Sequence, residues 1–126
     1  MQIIGVGLDA TEIERVADMI ERYGERFVKR VFTAGEIAYC QARRDFASSY
    51  AARFAAKEAA MKALGTGHTR GVYWTTIEIV RRQGPPQMAF HGGAAARCAS
   101  MGATRVLVTL THSRELAIAQ VMLVKD

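Results

Sequence analysis

The chain has 126 residues, of which 50% are hydrophobic and 23% are charged. This is the size and composition of one globular domain, and it excludes disordered, collagen-like and coiled-coil proteins. The net charge of +5 is uneven, because residues 1–45 carry 7 basic and 8 acidic side chains whereas residues 46–126 carry 10 basic and 4 acidic ones. The basic second part predicts a polyanionic partner: a nucleic acid, a phosphorylated cofactor or an acidic protein.

The sequence shows no sign of a membrane or secreted protein. No apolar run reaches the roughly 18 residues of a membrane span. The N-terminus opens as MQIIGVGLDA, without the basic segment and cleavage site of a signal peptide. Cys40 and Cys98 are the only cysteines and lack metal or redox spacing. We expect one cytoplasmic domain over residues 1–126, with two ordinary thiols and no membrane partner.

The first half of the chain reads as one strand followed by helices. Residues 1–8 are apolar and predict a buried strand. Thr11 and Glu14 have the spacing of a capping box, which predicts that Thr11 caps a helix reaching Tyr23. Further helices are predicted over residues 25–31, 34–43 and 46–64.

The second half reads mostly as strands. Residues 74–82 predict a strand with Ile77, Ile79 and Arg81 on one face, and Gly84–Pro86 is a turn. The remaining predicted elements are a strand over 87–90, a helix over 93–101 and a hairpin of strands 105–111 and 116–124. This order predicts an α+β domain.

The longest predicted helix, residues 46–64, has two unlike apolar faces. At about 100° per residue, its large apolar side chains form one stripe. The opposite side is made of alanines, which predicts that something packs closely there too. The stripe consists of Phe46, Tyr50, Phe54, Met61 and Leu64, and the alanines are Ala47, Ala51, Ala52, Ala55, Ala56, Ala59 and Ala63.

The same helix carries few charges, and they lie in or beside the apolar stripe. Arg53 and Lys57 fall within it, where they must be paired, extend to solvent or line a site. Glu58 and Lys62 lie at its border, one turn apart, which fits a simple surface ion pair. The alternative is a cleft wall whose carboxylate holds a divalent cation and whose cations neutralise phosphate oxygens.

Asp9 is the natural second carboxylate for such a site. It follows a buried strand, and a Mg²⁺ ion usually takes one or two protein carboxylates, with water and phosphate completing its coordination. The alternative role is to cap the next helix, which Asp residues often do. Because Thr11 already supplies a capping oxygen in this interpretation, the metal hypothesis for Asp9 stays open.

The other candidate residues each have an ordinary structural role as an alternative. His112 lies at a hairpin turn, where a histidine is commonly solvated. Gly65 is suited to end a helix, and it could also let a phosphate approach the backbone. Arg15, Arg22 and Arg26 form either a solvated helical face or a docking strip for an acidic partner.

Three segments together resemble the holo-[acyl-carrier-protein] synthases, the short bacterial 4′-phosphopantetheinyl transferases. The first is Ile4–Asp9 (IGVGLD), closely followed by Glu12, Ile13 and Arg15. The second is Arg53–Gly67 (RFAAKEAAMKALGTG), and the third is Val108–Ser113 (VTLTHS) before Ala117–Ala119. The resemblance covers essentially the whole chain.

The resemblance implies a reaction and an assembly. The 4′-phosphopantetheine arm of coenzyme A is transferred to a serine of an apo acyl carrier protein, and adenosine 3′,5′-bisphosphate is released. The family's fold is a small antiparallel sheet packed with a long helix. It assembles as a homotrimer with sites at the subunit interfaces, which would account for the alanine face.

The resemblance also assigns roles by position. Asp9 and Glu58 match the Mg²⁺ ligands, and Lys62 matches the catalytic lysine near the diphosphate. The positions expected around coenzyme A are Arg53, Lys62, Gly65, Gly84, Pro86 and His112. Arg15, Arg22 and Arg26 match the surface that meets the acidic carrier protein. The chain departs from the family at Pro85, where a basic residue is common. This difference affects one expected contact to the nucleotide phosphates.

These residues suit phosphoryl transfer, which needs positioning and charge neutralisation more than covalent catalysis. Mg²⁺ and Lys62 would offset charge on the diphosphate, while no side chain is an obvious general base for the serine. Three rival functions remain: the same chemistry on a carrier domain of a dedicated synthase, a basic nucleic-acid-binding module, and an inactive trimeric scaffold. The module is disfavoured because Phe46, Tyr50 and Phe54 follow a core stripe.

Overall fold

The structure, a computed structural model, describes all residues from Met1 to Asp126. It confirms the α+β class, with five strands and five α-helices. In chain order the elements are β1 (Gln2–Glu12), α1 (Ile13–Tyr23), α2 (Glu25–Val31), α3 (Ala34–Gln41), α4 (Phe46–Leu64), a 3₁₀ turn (Trp74–Thr76), β2 (Ile77–Val80), β3 (Gln87–Phe90), α5 (Gly92–Ser100), β4 (Arg105–His112) and β5 (Leu116–Lys125).

A three-stranded antiparallel sheet in the order β1-β5-β4 packs on helix α4, as expected. The register places Asp9 opposite Ala119, which in turn lies opposite Leu110. Two residues further along, Thr11 and His112 lie on either side of Ala117. Strands β2 and β3 form a separate antiparallel pair. The sheet therefore places the C-terminal parts of β1 and β4 at the same end.

The alanine face of α4 is buried against this sheet within one chain. Ala59 is fully buried and Ala63 nearly so. A Cβ atom at Gly7 would overlap the carbonyl oxygen of Ala59, and one at Gly5 would crowd that of Ala63. Small residues on both elements thus let the helix and β1 approach closely. The expectation that subunit contacts account for this face was wrong, because the chain's own sheet covers it.

The predicted capping box at Thr11 was wrong. Strand β1 continues through Thr11 to Glu12, because both residues pair with β5. Helix α1 begins at Ile13 without a side-chain cap. The Thr11 hydroxyl instead donates a hydrogen bond of 2.8 Å to Asp9 Oδ2. Asp9 is therefore held by Thr11 and does not cap α1.

The capping box of this chain lies at the start of α3. The Thr33 hydroxyl accepts from the backbone N–H of Glu36, and Glu36 Oε1 accepts from the backbone N–H of Thr33. This pair has the same Thr-x-x-Glu spacing as Thr11 and Glu14, but it was not predicted from the sequence. The helix it starts ends at Gln41, two residues earlier than predicted.

The predicted strand over residues 74–82 is shorter in the structure and begins after a helical turn. Trp74–Thr76 form a 3₁₀ turn, and the strand spans only Ile77–Val80. Ile77 and Ile79 are buried, whereas Arg81 lies beyond the strand and is exposed. The prediction that Arg81 shares their face as a strand residue was wrong. The strand starts late because Thr76 donates to the Tyr73 carbonyl and closes a turn.

Two surface properties bear on partners. The face of the main sheet that points away from α4 exposes apolar side chains, namely Val6, Leu8, Leu107, Leu116 and Ile118. No helix combines the length and apolar character that a membrane-spanning segment requires.

Candidate active site

Asp9, Glu58 and Lys62 come together where β1 crosses α4. Lys62 Nζ donates to Asp9 Oδ1 at 3.1 Å and to the Leu8 carbonyl at 2.9 Å. Glu58 lies one turn before Lys62 on the same helix. Because the close approach of helix and strand fixes both backbones, the three side chains are held by rigid elements. The simple ion pair between Glu58 and Lys62 is absent, since Lys62 pairs with Asp9.

Glu58 is a half-buried carboxylate with no hydrogen-bond donor in the chain. Burial raises the pKa of Glu58, and the negative charge of Asp9 raises it further. The positive charges of His68, Lys62 and Arg15 oppose this effect without cancelling it. Two repelling carboxylates, one without a donor, form a donor set that suits a hard divalent cation.

Lys57 lies next to Glu58 in sequence but is fully buried on another side of the helix. Its Nζ is 2.7 Å from Glu36 Oε1. It also donates to the carbonyls of Trp74 and Ile77. Burial lowers the pKa of Lys57, and the charge of Glu36 opposes this shift. Of the three options considered for this charge, pairing is the one found, so Lys57 neither extends to solvent nor lines a cleft.

Arg53 is also buried, and it lies against Tyr39. Its guanidinium carbon is 4.1 Å from the centre of the Tyr39 ring. The Nη1 group donates a long hydrogen bond of 3.4 Å to the Ser49 carbonyl. The Nε group is buried without any partner. The guanidinium therefore keeps hydrogen-bonding capacity that the chain itself does not use.

An apolar cavity of about 480 Å³ opens beside α1 and α2. Its walls include Met19, Phe27, Phe54 and Trp74, and its cationic side chains are Arg15, Arg26 and Arg30. Trp74 stacks on Phe54 with ring centres 5.0 Å apart, and the His68 ring meets Trp74 at 4.5 Å. Phe54, which lines the cavity, lies one helical turn before Glu58 on α4, so the cavity lies near the carboxylate pair.

Comparison with known proteins identifies the family. The model of the 4′-phosphopantetheinyl transferase superfamily matches residues 5–121. The chain belongs to this transferase superfamily. Relatives named holo-[acyl-carrier-protein] synthase include those of Koribacter versatilis, at 45% identity over 96% of this chain and 98% of the relative, and of Solibacter usitatus, at 44% with the same coverage.

Solved structures named as transferases of this type share the fold. The synthase of Neisseria meningitidis matches with a TM-score of 0.89 and 27% identity, over 98% of this chain and 99% of that one. The synthase of Helicobacter pylori, solved in complex with coenzyme A, matches with a TM-score of 0.82 and 26% identity, over 94% and 98%. Recognition of this family from the three sequence segments is thereby confirmed.

The other residues that the family resemblance assigned lie apart in a single transferase chain. His112 ends β4 near Asp45, whose lowered pKa comes chiefly from its hydrogen bonds with Ser48, with a small contribution from His112. Gly84 has φ 82° in the turn between β2 and β3. No hydrogen bond or ion pair joins Arg53, His112 or this turn to the Asp9 site.

Gly65 and Pro86 occupy ordinary structural positions. Gly65 ends α4 in the left-handed conformation with φ 70°, and its N–H donates to the carbonyls of Lys62 and Met61. Pro86 lies in the turn that precedes β3. The neighbouring Pro85, together with Arg82, lines a second cavity. The roles of Gly65 and Pro86 as contacts to coenzyme A remain predictions.

The three predicted docking arginines are divided between two surfaces. Arg15 and Arg26 line the apolar cavity. Arg22 lies with Glu12, Glu14 and Asp18 in a separate polar groove that Arg15 also borders. Arg30 and Trp74 also line the apolar cavity, which the sequence did not predict, because their proximity depends on how α2 and the 3₁₀ turn pack on α4.

Proposed function

We propose that this transferase moves the 4′-phosphopantetheine group of coenzyme A to a serine of an apo acyl carrier protein and requires Mg²⁺ to do so. The observation that carries the proposal is the convergence of Asp9, Glu58 and Lys62 in a chain of this family. Related structures solved with coenzyme A support the nucleotide substrate. The products are the modified carrier protein and adenosine 3′,5′-bisphosphate.

The residues present fit a magnesium ion. Glu58 has no donor in the chain, and Asp9 still has lone pairs after accepting from Thr11 and Lys62. Asp9 and Glu58 would hold the ion. When bound, it supplies positive charge that neutralises the diphosphate oxygens.

The protein's own part in the reaction is to orient the diphosphate and offset its charge. Lys62 contacts Leu8 and Asp9 of β1 and is more than half exposed, so its ammonium is available to a phosphate oxygen beside Asp9. It would stabilise the charge that develops on the leaving phosphate. Thr11 holds Asp9 in place through its hydroxyl, which limits the reorganisation needed on substrate binding.

The apolar cavity beside this site suits the carrier protein. Arg15, Arg26 and Arg30 surround an apolar floor, which complements a helix with acidic residues around an apolar centre. The cavity adjoins Glu58, so a serine carried on that helix would come close to the diphosphate. This supports the predicted docking roles of Arg15 and Arg26 and gives less support to that of Arg22.

A homotrimer is part of the same proposal. The exposed apolar side chains of Val6, Leu8, Leu107 and Ile118 form one face of the main sheet, and exposed apolar faces often mark interfaces. Subunit association would also bring residues that lie apart in one chain, such as His112, to a neighbour's Asp9 site. Light scattering of the wild type and of Ile118→Glu tests this, with a trimer expected for the first and dissociation for the second.

Intact-protein mass spectrometry tests the reaction. An apo acyl carrier protein is incubated with this protein, coenzyme A and Mg²⁺, with and without a chelator. We expect a mass gain of one phosphopantetheine group that the chelator abolishes. A gain in the presence of chelator would refute the metal requirement. No gain on several competent carrier proteins, carrier domains of large synthases included, would refute the activity itself.

A further inference from the structure

Lys57 holds the 3₁₀ turn of Trp74–Thr76 against helix α4. Its ammonium group donates to the Trp74 carbonyl at 2.9 Å and to the Ile77 carbonyl, which belong to the first residue of the turn and to the residue that follows it. Its third acceptor is Glu36 Oε1, at 2.7 Å. A lysine ammonium group has three N–H donors, so each donor has one partner here. Two of the three contacts of this buried cation are made to the backbone of the turn segment.

Glu36 links the same ammonium group to α3 and β2. Its Oε1 also accepts from the backbone N–H of Thr33, in the capping box of α3. Its Oε2 accepts from the backbone N–H of Ile79 in β2. Glu36 is only 1% exposed, so these hydrogen bonds are made away from water. The ion pair therefore joins α3, α4, the turn and β2 through their backbone groups.

The ring of Trp74 is held by the same helix that carries Lys57. It stacks on Phe54 of α4, with ring centres 5.0 Å apart and ring planes inclined by 27°. Phe54 precedes Lys57 by three residues, so the two side chains leave neighbouring positions on one side of the helix. Helix α4 thus fixes Trp74 twice, at its carbonyl oxygen through Lys57 and at its ring through Phe54.

Trp74 is a wall that two cavities share. One is the apolar cavity proposed above for the carrier protein. The other has a volume of about 610 Å³ and is lined by Arg30, His68, Tyr73 and Trp74. A tryptophan often anchors a protein interface, because its contact area is large and it has few rotamers to lose on binding. A displaced Trp74 ring would change the shape of both cavities.

The charge of Lys57 is not explained by stability alone. Taking two charges out of water is costly, and apolar side chains of similar volume often leave a protein as stable as a buried ion pair does. A methionine at this position could fill much of the same space, but it could not donate to the two carbonyls. The contacts to the turn are therefore what the ammonium group adds to the fold.

We propose that Lys57 is a positioning residue for carrier-protein binding, acting through the carbonyl groups that set the place of Trp74. This inference rests on the proposed function, because it takes the carrier protein as the occupant of the apolar cavity, and it deepens that function. Glu36 orients the ammonium group towards the turn. Trp74 contacts the carrier protein, whereas Lys57 touches neither substrate.

Trp74 is the only tryptophan of the chain, so its fluorescence reports this position directly. Binding of an apo acyl carrier protein that lacks tryptophan should change the Trp74 emission of the wild type. In Lys57→Met without substrates, acrylamide should quench Trp74 more strongly than in the wild type, because the turn is released from α4. The KM for the carrier protein should rise about tenfold, as the loss of an aromatic anchor predicts, while the KM for coenzyme A stays close to wild type.

Glu36→Gln is the matched control. It also breaks the buried ion pair, but it leaves Lys57 in place to donate to the carbonyls of Trp74 and Ile77. Its acrylamide quenching and its KM for the carrier protein should therefore stay close to wild type, although urea unfolding shows a loss of stability. The double variant Lys57→Met/Glu36→Gln buries no charge and should behave as Lys57→Met in both measurements. It decides if a single variant does not fold.

Equal changes in Glu36→Gln and Lys57→Met would overturn the inference, because the pair would then act through stability alone. Unchanged quenching of Trp74 in the double variant, or equal rises in the two KM values, would overturn it too. Absence of transfer by the wild type would instead refute the proposed function, since the quenching measurement requires neither substrate.

Discussion

Lys62 Nζ lies 3.1 Å from Asp9 Oδ1, so the cation of α4 occupies a lone pair that a metal ion at Asp9 would also use. The two cations therefore compete for Asp9 in the absence of substrate. We expect Lys62→Met to bind Mg²⁺ at least as tightly as the wild type, measured by calorimetry. Transfer should nevertheless fall by about two to three orders of magnitude, because charge on the leaving phosphate is no longer offset. Loss of Mg²⁺ binding in this variant would contradict the assignment.

Glu58 is predicted to destabilise the fold near neutral pH. Burial and the Asp9 charge raise the pKa of Glu58 above its ordinary value. A carboxyl group whose pKa is higher in the folded chain lowers stability as the pH rises from the unfolded pKa through the folded one. In metal-free buffer, Glu58→Gln should therefore raise the Tm near neutral pH and leave it unchanged well below the unfolded pKa. The same variant should lose Mg²⁺-dependent transfer.

A metal titration separates this effect from general stabilisation. Mg²⁺ should raise the Tm of the wild type and should have little effect on Glu58→Gln, since binding to the folded state stabilises it. An equal response of the two proteins to Mg²⁺ would show that Glu58 is not a ligand.

Local patterns in the sequence predicted much of this structure. The helical periodicity of α4 and the many Val, Ile, Leu and Thr residues of β4 and β5 predicted these elements nearly to their ends. Thr11 and Thr33 are both followed by a glutamate at Thr-x-x-Glu spacing, so spacing alone could not show which threonine caps a helix. The prediction named Thr11, whereas the capping box lies at Thr33. Only the pairing of Thr11 with Ala117 on β5 keeps it in a strand, and that contact joins residues far apart in sequence.

The same limit applies to the candidate site. Asp9, Glu58 and Lys62 were named from the sequence, with the family resemblance assigning their roles, and the structure brings them together. The burial of Lys57 on Glu36 and the sharing of Tyr39 by two arginines were not predicted. Both depend on how α3 packs against α4, which no local spacing encodes.

Arg26 and Arg22 allow a matched test of the docking surface. Arg26 lines the apolar cavity, whereas Arg22 borders a groove with three acidic side chains. Arg26→Glu should raise the KM for an acidic carrier protein about tenfold or more and leave the KM for coenzyme A unchanged. Arg22→Glu should have a smaller effect on the carrier protein. Steady-state kinetics with each substrate varied in turn measures this, and damage of equal size to both KM values would argue against docking.

Cys40 should be chemically inert in the folded protein. Burial raises its pKa to about 11, so the thiolate that reacts with alkylating agents is scarce. We expect iodoacetamide to leave Cys40 unmodified in native buffer and to modify it in denaturant, as followed by peptide mass spectrometry. Cys98 is half-buried and should react first of the two. Rapid native alkylation of Cys40 would show that α3 opens readily.

The Lys57–Glu36 pair should be the ion pair on which the fold depends most. Both side chains are fully buried, and Glu36 also accepts from the backbone N–H groups of Thr33 and Ile79. Lys57→Met would leave Glu36 as an unpaired buried charge, which costs about 3–5 kcal/mol of unfolding free energy. Adding Glu36→Gln should recover part of this loss, because the double variant buries no charge.

Urea unfolding of both single variants and the double variant measures the coupling between them. The exposed pair Lys29–Glu25 is the control, and its removal should cost less than about 1 kcal/mol. If Lys57→Met and the double variant lose the same stability, the pair contributes through packing alone.

Since Lys57 also holds the carbonyl of Trp74, the single variant should further weaken carrier-protein binding at the adjoining cavity, even where it remains folded.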